Sequence, residues 1–151
     1  MYSSLSDLKA LQSEDVLLQL SDDNDAGVFV IVVPFNQPYI ALLQAITDAD
    51  TIINSYVSGR YSVPIAEPVP AIVKQISANL ALCNLYGRRR EMDMPEGIAA
   101  RRKDFMKLLL DIKTERADIP ELSSVIIAPA AFLVSKSDSD QVFNDDLLSM
   151  M

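Results

Sequence analysis

Histidine is absent from the 151 residues, and cysteine occurs once, at Cys83. Those two shortages remove disulfides, zinc sites built on His or Cys, haem held by His, and every Ser-His or Cys-His nucleophile pair. Carboxylate chemistry survives, because a metal held by Asp and Glu oxygens or an acid/base carboxylate pair needs neither residue. A lone thiol also points to a reducing compartment or to no redox role. Basic residues are few: 13 Lys and Arg stand against 21 Asp and Glu, a net charge of −8. Such a surface repels DNA overall, since generic nucleic-acid binding needs a dense Lys/Arg footprint. No apolar run approaches the ~20 residues that cross a bilayer, and no basic start leads into a signal-like apolar stretch. The expectation is therefore a protein without a membrane partner that stays in the cytoplasm where it is made.

What is present is enough apolar residue, 50% of the chain, for one domain with a real core. Leu5, Leu8, Leu11, Val16, Leu17 and Leu20 recur at helical spacing, and Ser13-Glu14-Asp15 can cap a fresh start, so two short helices meet near Gln12. An acidic turn, Ser21 to Gly27, leads into Val28-Phe29-Val30-Ile31-Val32-Val33, a strand signal stopped by Pro34. Pro38 suits a first helical turn, and Leu42, Leu43, Ile46, Ala49, Ile53 and Tyr56 supply a stripe ending at Gly59. Pro64, Pro68 and Pro70 stiffen the following segment. A second long helix then carries Ile72, Val73, Ile76, Leu80, Cys83 and Tyr86 to an end at Gly87. Pro95 opens a third, with Ile98, Phe105, Leu108, Leu109 and Ile112 facing inward. The fold class is mainly α: a small bundle of three long helices plus short N-terminal helices, with a strand-like insertion and an extended C-terminal tail. Residues 1–120 form the helical domain, with the insertion at 28–34, and residues 121–151 form the arm.

Three features invite a functional reading. Asp22, Asn24 and Gly27 partly imitate a calcium loop, but Ala26 and Val33 occupy two ligand positions, which favours a solvated turn. Asp22, Asp23 and Asp25 are likewise the best cluster for a carboxylate enzyme, and they lack any neighbouring base; the chain reads as no enzyme, with no cofactor. Basic residues concentrate in one stretch, Arg88, Arg89, Arg90, Arg101, Arg102, Lys103 and Lys107, whereas the first fifty residues hold only Lys9. Arg88 to Arg90 after a helix end can simply oppose the helix dipole, worth ~0.3–1 kcal/mol. They can also form a patch for an acidic partner surface. Cys83 lies on an apolar stripe and reads as inert core.

The tail carries the strongest argument from energy. Val125 to Val134 is continuously apolar, and burying Val125, Ile126, Ile127, Phe132, Leu133 and Val134 would gain roughly 9–18 kcal/mol together. Left in water they would make a patch larger than monomers tolerate. Either the run pairs with Val28 to Val33 in the same chain, or one or both strands pair with another subunit. Val142, Phe143, Leu147 and Leu148 add apolar positions in the polar final stretch, so Val142, Phe143 and Leu147 join the candidate interface.

In order, these motifs resemble the small head-tail connector (neck adaptor, head completion) proteins of Mu-like tailed phages. The likeness rests on Met1-Tyr2-Ser3-Ser4-Leu5-Ser6-Asp7-Leu8 and on Asp48-Ala49-Asp50 leading to Tyr56-Val57-Ser58-Gly59-Arg60-Tyr61-Ser62-Val63-Pro64. Leu85-Tyr86-Gly87, the basic helix closing at Leu108 to Ile112, Ile119-Pro120 and Val142 to Leu148 add to it. Val28 to Pro34 reads as an insertion relative to that family, and Val125 to Val134 is more apolar than its usual pattern.

The resemblance implies a virion structural subunit, made in the host cytoplasm and located in the neck. It would form a homo-oligomeric ring of about twelve copies. Its partners would be the portal protein and a neck stopper or tail-terminator protein, with DNA only passing through the channel. The alternative is a small DNA- or partner-binding helical module that uses the Arg88 to Lys107 stretch.

Overall fold

In the computed structural model, residues 1–22, 37–89 and 92–122 are described. Five helices follow in order: α1 (Leu5–Leu11), α2 (Glu14–Ser21), α3 (Gln37–Val57), α4 (Ala71–Arg88) and α5 (Glu96–Lys113). No strand occurs among the described residues. The proposed strand at 28–33, and the apolar run 125–134 with the stretch 142–148, lie outside them.

Local chemistry places the helix boundaries where the turn and cap residues stand. The Ser4 backbone N–H donates to the Asp7 carboxylate at 2.7 Å, so the third helical residue reaches back to close the start of α1. Pro70 and Pro95 sit at the N-cap positions of α4 and α5. The α3 helix ends at Val57, two residues before Gly59, and its carbonyl accepts from both Arg60 and Tyr61 in the turn that follows. The expected end at Gly87 is one residue early: Gly87 lies inside the last turn of α4, which runs on to Arg88. After α5, Glu115 takes the left-handed conformation at φ 62°, and Arg116 and Ala117 both donate back to the Asp111 carbonyl. That closure turns the chain towards α3.

The α4 helix is the centre of the bundle. Its residues Ile76 to Cys83 are buried without a break, so this middle stretch is covered on more than one stripe, while Ala71, Lys74, Gln75 and Arg88 towards its ends are exposed. Ala78, Ala81, Leu82 and Leu85 supply the additional apolar faces. The α3 helix forms the most extensive contact with it, α1 and α2 lie across the pair, and α5 packs against both. On α3 the buried face is Leu42, Ala45, Ile46, Ala49, Ile53 and Val57, while Leu43 and Tyr56 lie only half-buried. Leu109 and Ile112 bring α5 into the same core. The fold is the expected small helical bundle.

Candidate assembly surface

Two polar clasps join segments of the bundle that lie far apart in sequence. The first holds the N-terminus. Tyr2 donates its backbone N–H to Asp50 at 2.9 Å, and Ser77 on α4 donates its hydroxyl to the other oxygen of that carboxylate at 2.7 Å. Ser77 has one proton to give, so the 2.8 Å contact between the Ser3 and Ser77 hydroxyls is donated by Ser3. The Tyr2 hydroxyl donates to the Asn54 amide oxygen and accepts the Ile65 N–H at 2.8 Å. Asp50, Ser3 and Ser77 are all buried, and every partner in this chain of bonds is used.

The second clasp joins the loop after α3 to the segment after α5. Arg60 donates to the carbonyl oxygens of Ala117, at 2.9 Å, and Ile112, at 3.4 Å, and to the Asp118 carboxylate. It thereby supplies a cation and donors to the carbonyl end of α5. Tyr61 is 3% exposed, and its hydroxyl accepts the Ile119 N–H at 3.0 Å. The Gly59 to Pro64 loop is thus a core connection with Tyr61 packed into the bundle.

Sequence reasoning missed both clasps as sites, although Asp50 carried a signal. It stands within the apolar stripe Ile46, Ala49, Ile53, Val57, and an acid on a core-facing stripe implies a buried acceptor with committed donors. Ser77, between Ile76 and Ala78 in the buried middle of α4, is the matching donor. Arg60 and Asp118 gave no comparable hint, because their meeting depends on the reversal at Glu115.

The described basic candidates lie at the end of α4 and along α5. Arg89 is half-buried beyond the end of α4 and donates to the Asp22 carbonyl oxygen, which fastens the end of α2 to the end of α4. Its Nε is buried without a partner among the described residues. Arg88 and Arg102 come together at a groove of about 550 Å³ between α3, α4 and α5, where Asp48 also lies. Arg101, Lys103 and Lys107 are exposed on α5. Arg90, Val125, Ile126, Ile127, Phe132, Leu133, Val134, Val142, Phe143 and Leu147 lie outside the described residues.

Cys83 is 1% exposed, with its Sγ 3.9 Å from the Ile98 carbonyl oxygen. Burial pushes the thiol above its ordinary pKa, and the neighbouring Arg102 opposes that shift only in part. The cation is distant in sequence and close in space. Among the described residues no three His, Cys, Asp or Glu side chains are grouped to hold a metal, and no helix is long and apolar enough to cross a membrane.

The segments joined by these clasps are those that carried the resemblance noted in the sequence, and a family model described as Bacteriophage Mu, Gp36 matches residues 2–125. The chain belongs to the Bacteriophage Mu Gp36 family. Membership identifies it as a Mu-like phage protein related to the virion. No curated protein matches it. The family match spans all five helices and both clasps, and it stops at residue 125, where the long apolar run begins.

Proposed function

We propose that this Gp36-family chain is a head-tail connector subunit of the virion neck, forming a homo-oligomeric ring between the portal and the next neck component. The observation that carries the reading is the family match over residues 2–125. The ring would hold about twelve copies, a cyclic assembly in which one surface of each subunit meets a different surface of the next. The role is mechanical and involves no enzyme chemistry or cofactor. The partners are the portal protein and a stopper or tail-terminator protein.

The physical character of the bundle supports this. A core built around a helix whose middle, Ile76 to Cys83, is continuously buried resists shear, and the two clasps tie the N-terminus and the last described segment to the same frame. The surplus of acidic residues, a net charge of −8, suits a channel through which DNA passes without adhering. Using Arg89 to anchor Asp22 removes one cation from any basic docking face, which weighs against a DNA-binding module centred on Arg88 to Arg90.

The reading is tested by quantitative mass spectrometry of purified particles, with and without a knockout of the gene for this chain. A connector is present at a fixed ratio to the portal, and its loss leaves filled heads without tails. Particles that lack the chain yet carry complete tails would overturn the proposal.

A further inference from the structure

The outward face of α5 joins positive charge to an apolar side chain that the bundle leaves open. Lys103, Lys107 and Leu110 follow one another at spacings of four and three, which sets them on one side of the helix, away from the buried Leu109 and Ile112. Both lysines are exposed, and Leu110 is 50% exposed. Asp104 and Asp111 stand on the flank of this face, and among the described residues neither lysine forms an ion pair.

The complementary pattern stands on α2. Asp15 and the half-buried Leu18 share its outward side three residues apart, as Lys107 and Leu110 do on α5. Asp15 is exposed and forms no ion pair among the described residues, whereas Glu14 beside it is taken up by Lys9 at 3.0 Å. Three residues advance either helix by ~4.5 Å, so two such helices laid side by side in the same direction set Leu18 on Leu110 and the Asp15 carboxylate beside the Lys107 ammonium. Lys103 adds to the positive potential that steers the acidic start of α2 into register. In a single chain the two faces do not meet, because α2 and α5 both pack on α3 and α4 and make no extensive contact with each other. A second copy brings them together, and a contact between unlike patches of one chain is head-to-tail, the type that closes a ring. We infer that α2 of one copy docks on the Lys103, Lys107 and Leu110 face of α5 in the next. The inference rests on the connector reading and supplies its subunit contact.

Phage particles are prepared with the full-length chain carrying Asp15→Cys and Lys107→Cys together and are treated with a short bismaleimide. Both positions are exposed, so neither change disturbs the core, and Cys83 is 1% exposed and silent to the reagent. The contact predicts a ladder of covalently joined chains on a denaturing gel, while each single-cysteine variant stays as separate chains. Charge reversal gives a second readout. Lys107→Glu should lower the ratio of this chain to portal in particles several-fold, and adding Asp15→Lys should restore it, because the exchange returns opposite charges to the contact.

Particles that hold the double-cysteine chain at the parental ratio and give no ladder would overturn the inference and leave the connector reading in place. Joined chains in either single variant would also overturn it, by putting like faces in contact. The same holds for an unaltered ratio in Lys107→Glu, or a loss there that Asp15→Lys does not restore. Particles that never contain the chain would overturn the connector reading and this contact with it.

Discussion

The backbone N–H of Tyr2 donates to the buried carboxylate of Asp50 at 2.9 Å, across 48 positions of sequence. These two residues belong to two of the stretches by which the chain resembles its family, the start Met1 to Leu8 and the Asp48-Ala49-Asp50 step. Their contact gives both stretches one physical purpose. They fasten the N-terminus into the seam between α3 and α4.

Replacing Asp50 by Ala would leave the Tyr2 N–H and the Ser77 hydroxyl buried without an acceptor. Each such group costs ~1–3 kcal/mol, so the variant should lose about 2–6 kcal/mol in urea unfolding. Asp50→Asn keeps one acceptor oxygen and should lose less. Equal stability of Asp50→Ala and the parent would show that the network carries no weight.

Arg60→Ala removes the donors to Ala117, Ile112 and Asp118. The pair with Asp118 is worth little by itself, because Asp118 is 68% exposed and screened by water. The carbonyls at the end of α5 matter more, and a loss of about 1–2 kcal/mol is expected, with hydrogen exchange rising first in residues 112–119. Arg60→Lys should recover only part of it, since one ammonium cannot reach three acceptors in the geometry of the planar fork.

Much of this organisation was legible beforehand because it is local. The turns, caps and prolines near residues 12, 58, 70 and 95 punctuate five helices, and helical periodicity supplies most of the inward faces. The central position of α4 was less visible. A stripe starting at Ile72 is the same pattern a half-exposed helix would show, and only the apolar residues on its remaining faces, Ala78, Ala81, Leu82 and Leu85, distinguish the two. Proximity between distant side chains was the least visible, as with Arg102 beside Cys83 or Arg89 on the Asp22 carbonyl, since it depends on how helices cross.

Cys83 should not react with a thiol reagent in the folded protein, since it is buried and its thiol is held above its ordinary pKa. Full reaction should appear only with global unfolding by guanidinium. Fast modification under native conditions would mean that α5 separates from α4 without unfolding the rest.

Asp7 predicts a small acid-dependent term. The Ser4 hydroxyl and backbone N–H donate to its carboxylate and hold its pKa below the ordinary 3.8. A depressed folded pKa contributes stability above the unfolded value, and that contribution disappears as pH falls through the folded one. Asp7→Asn should therefore be less stable than the parent at pH 7, by about 0.5 kcal/mol, and the difference should shrink as pH falls through the folded pKa. A difference that is constant from pH 7 to pH 2 would assign the effect to packing.

The most direct test of the assembly account is electron cryomicroscopy of the virion neck, with the symmetry of the layer below the portal determined independently of the portal. The account predicts a closed ring in that layer into which the five-helix bundle fits, with acidic side chains facing the channel. A neck whose layers are all filled by other chains would contradict it.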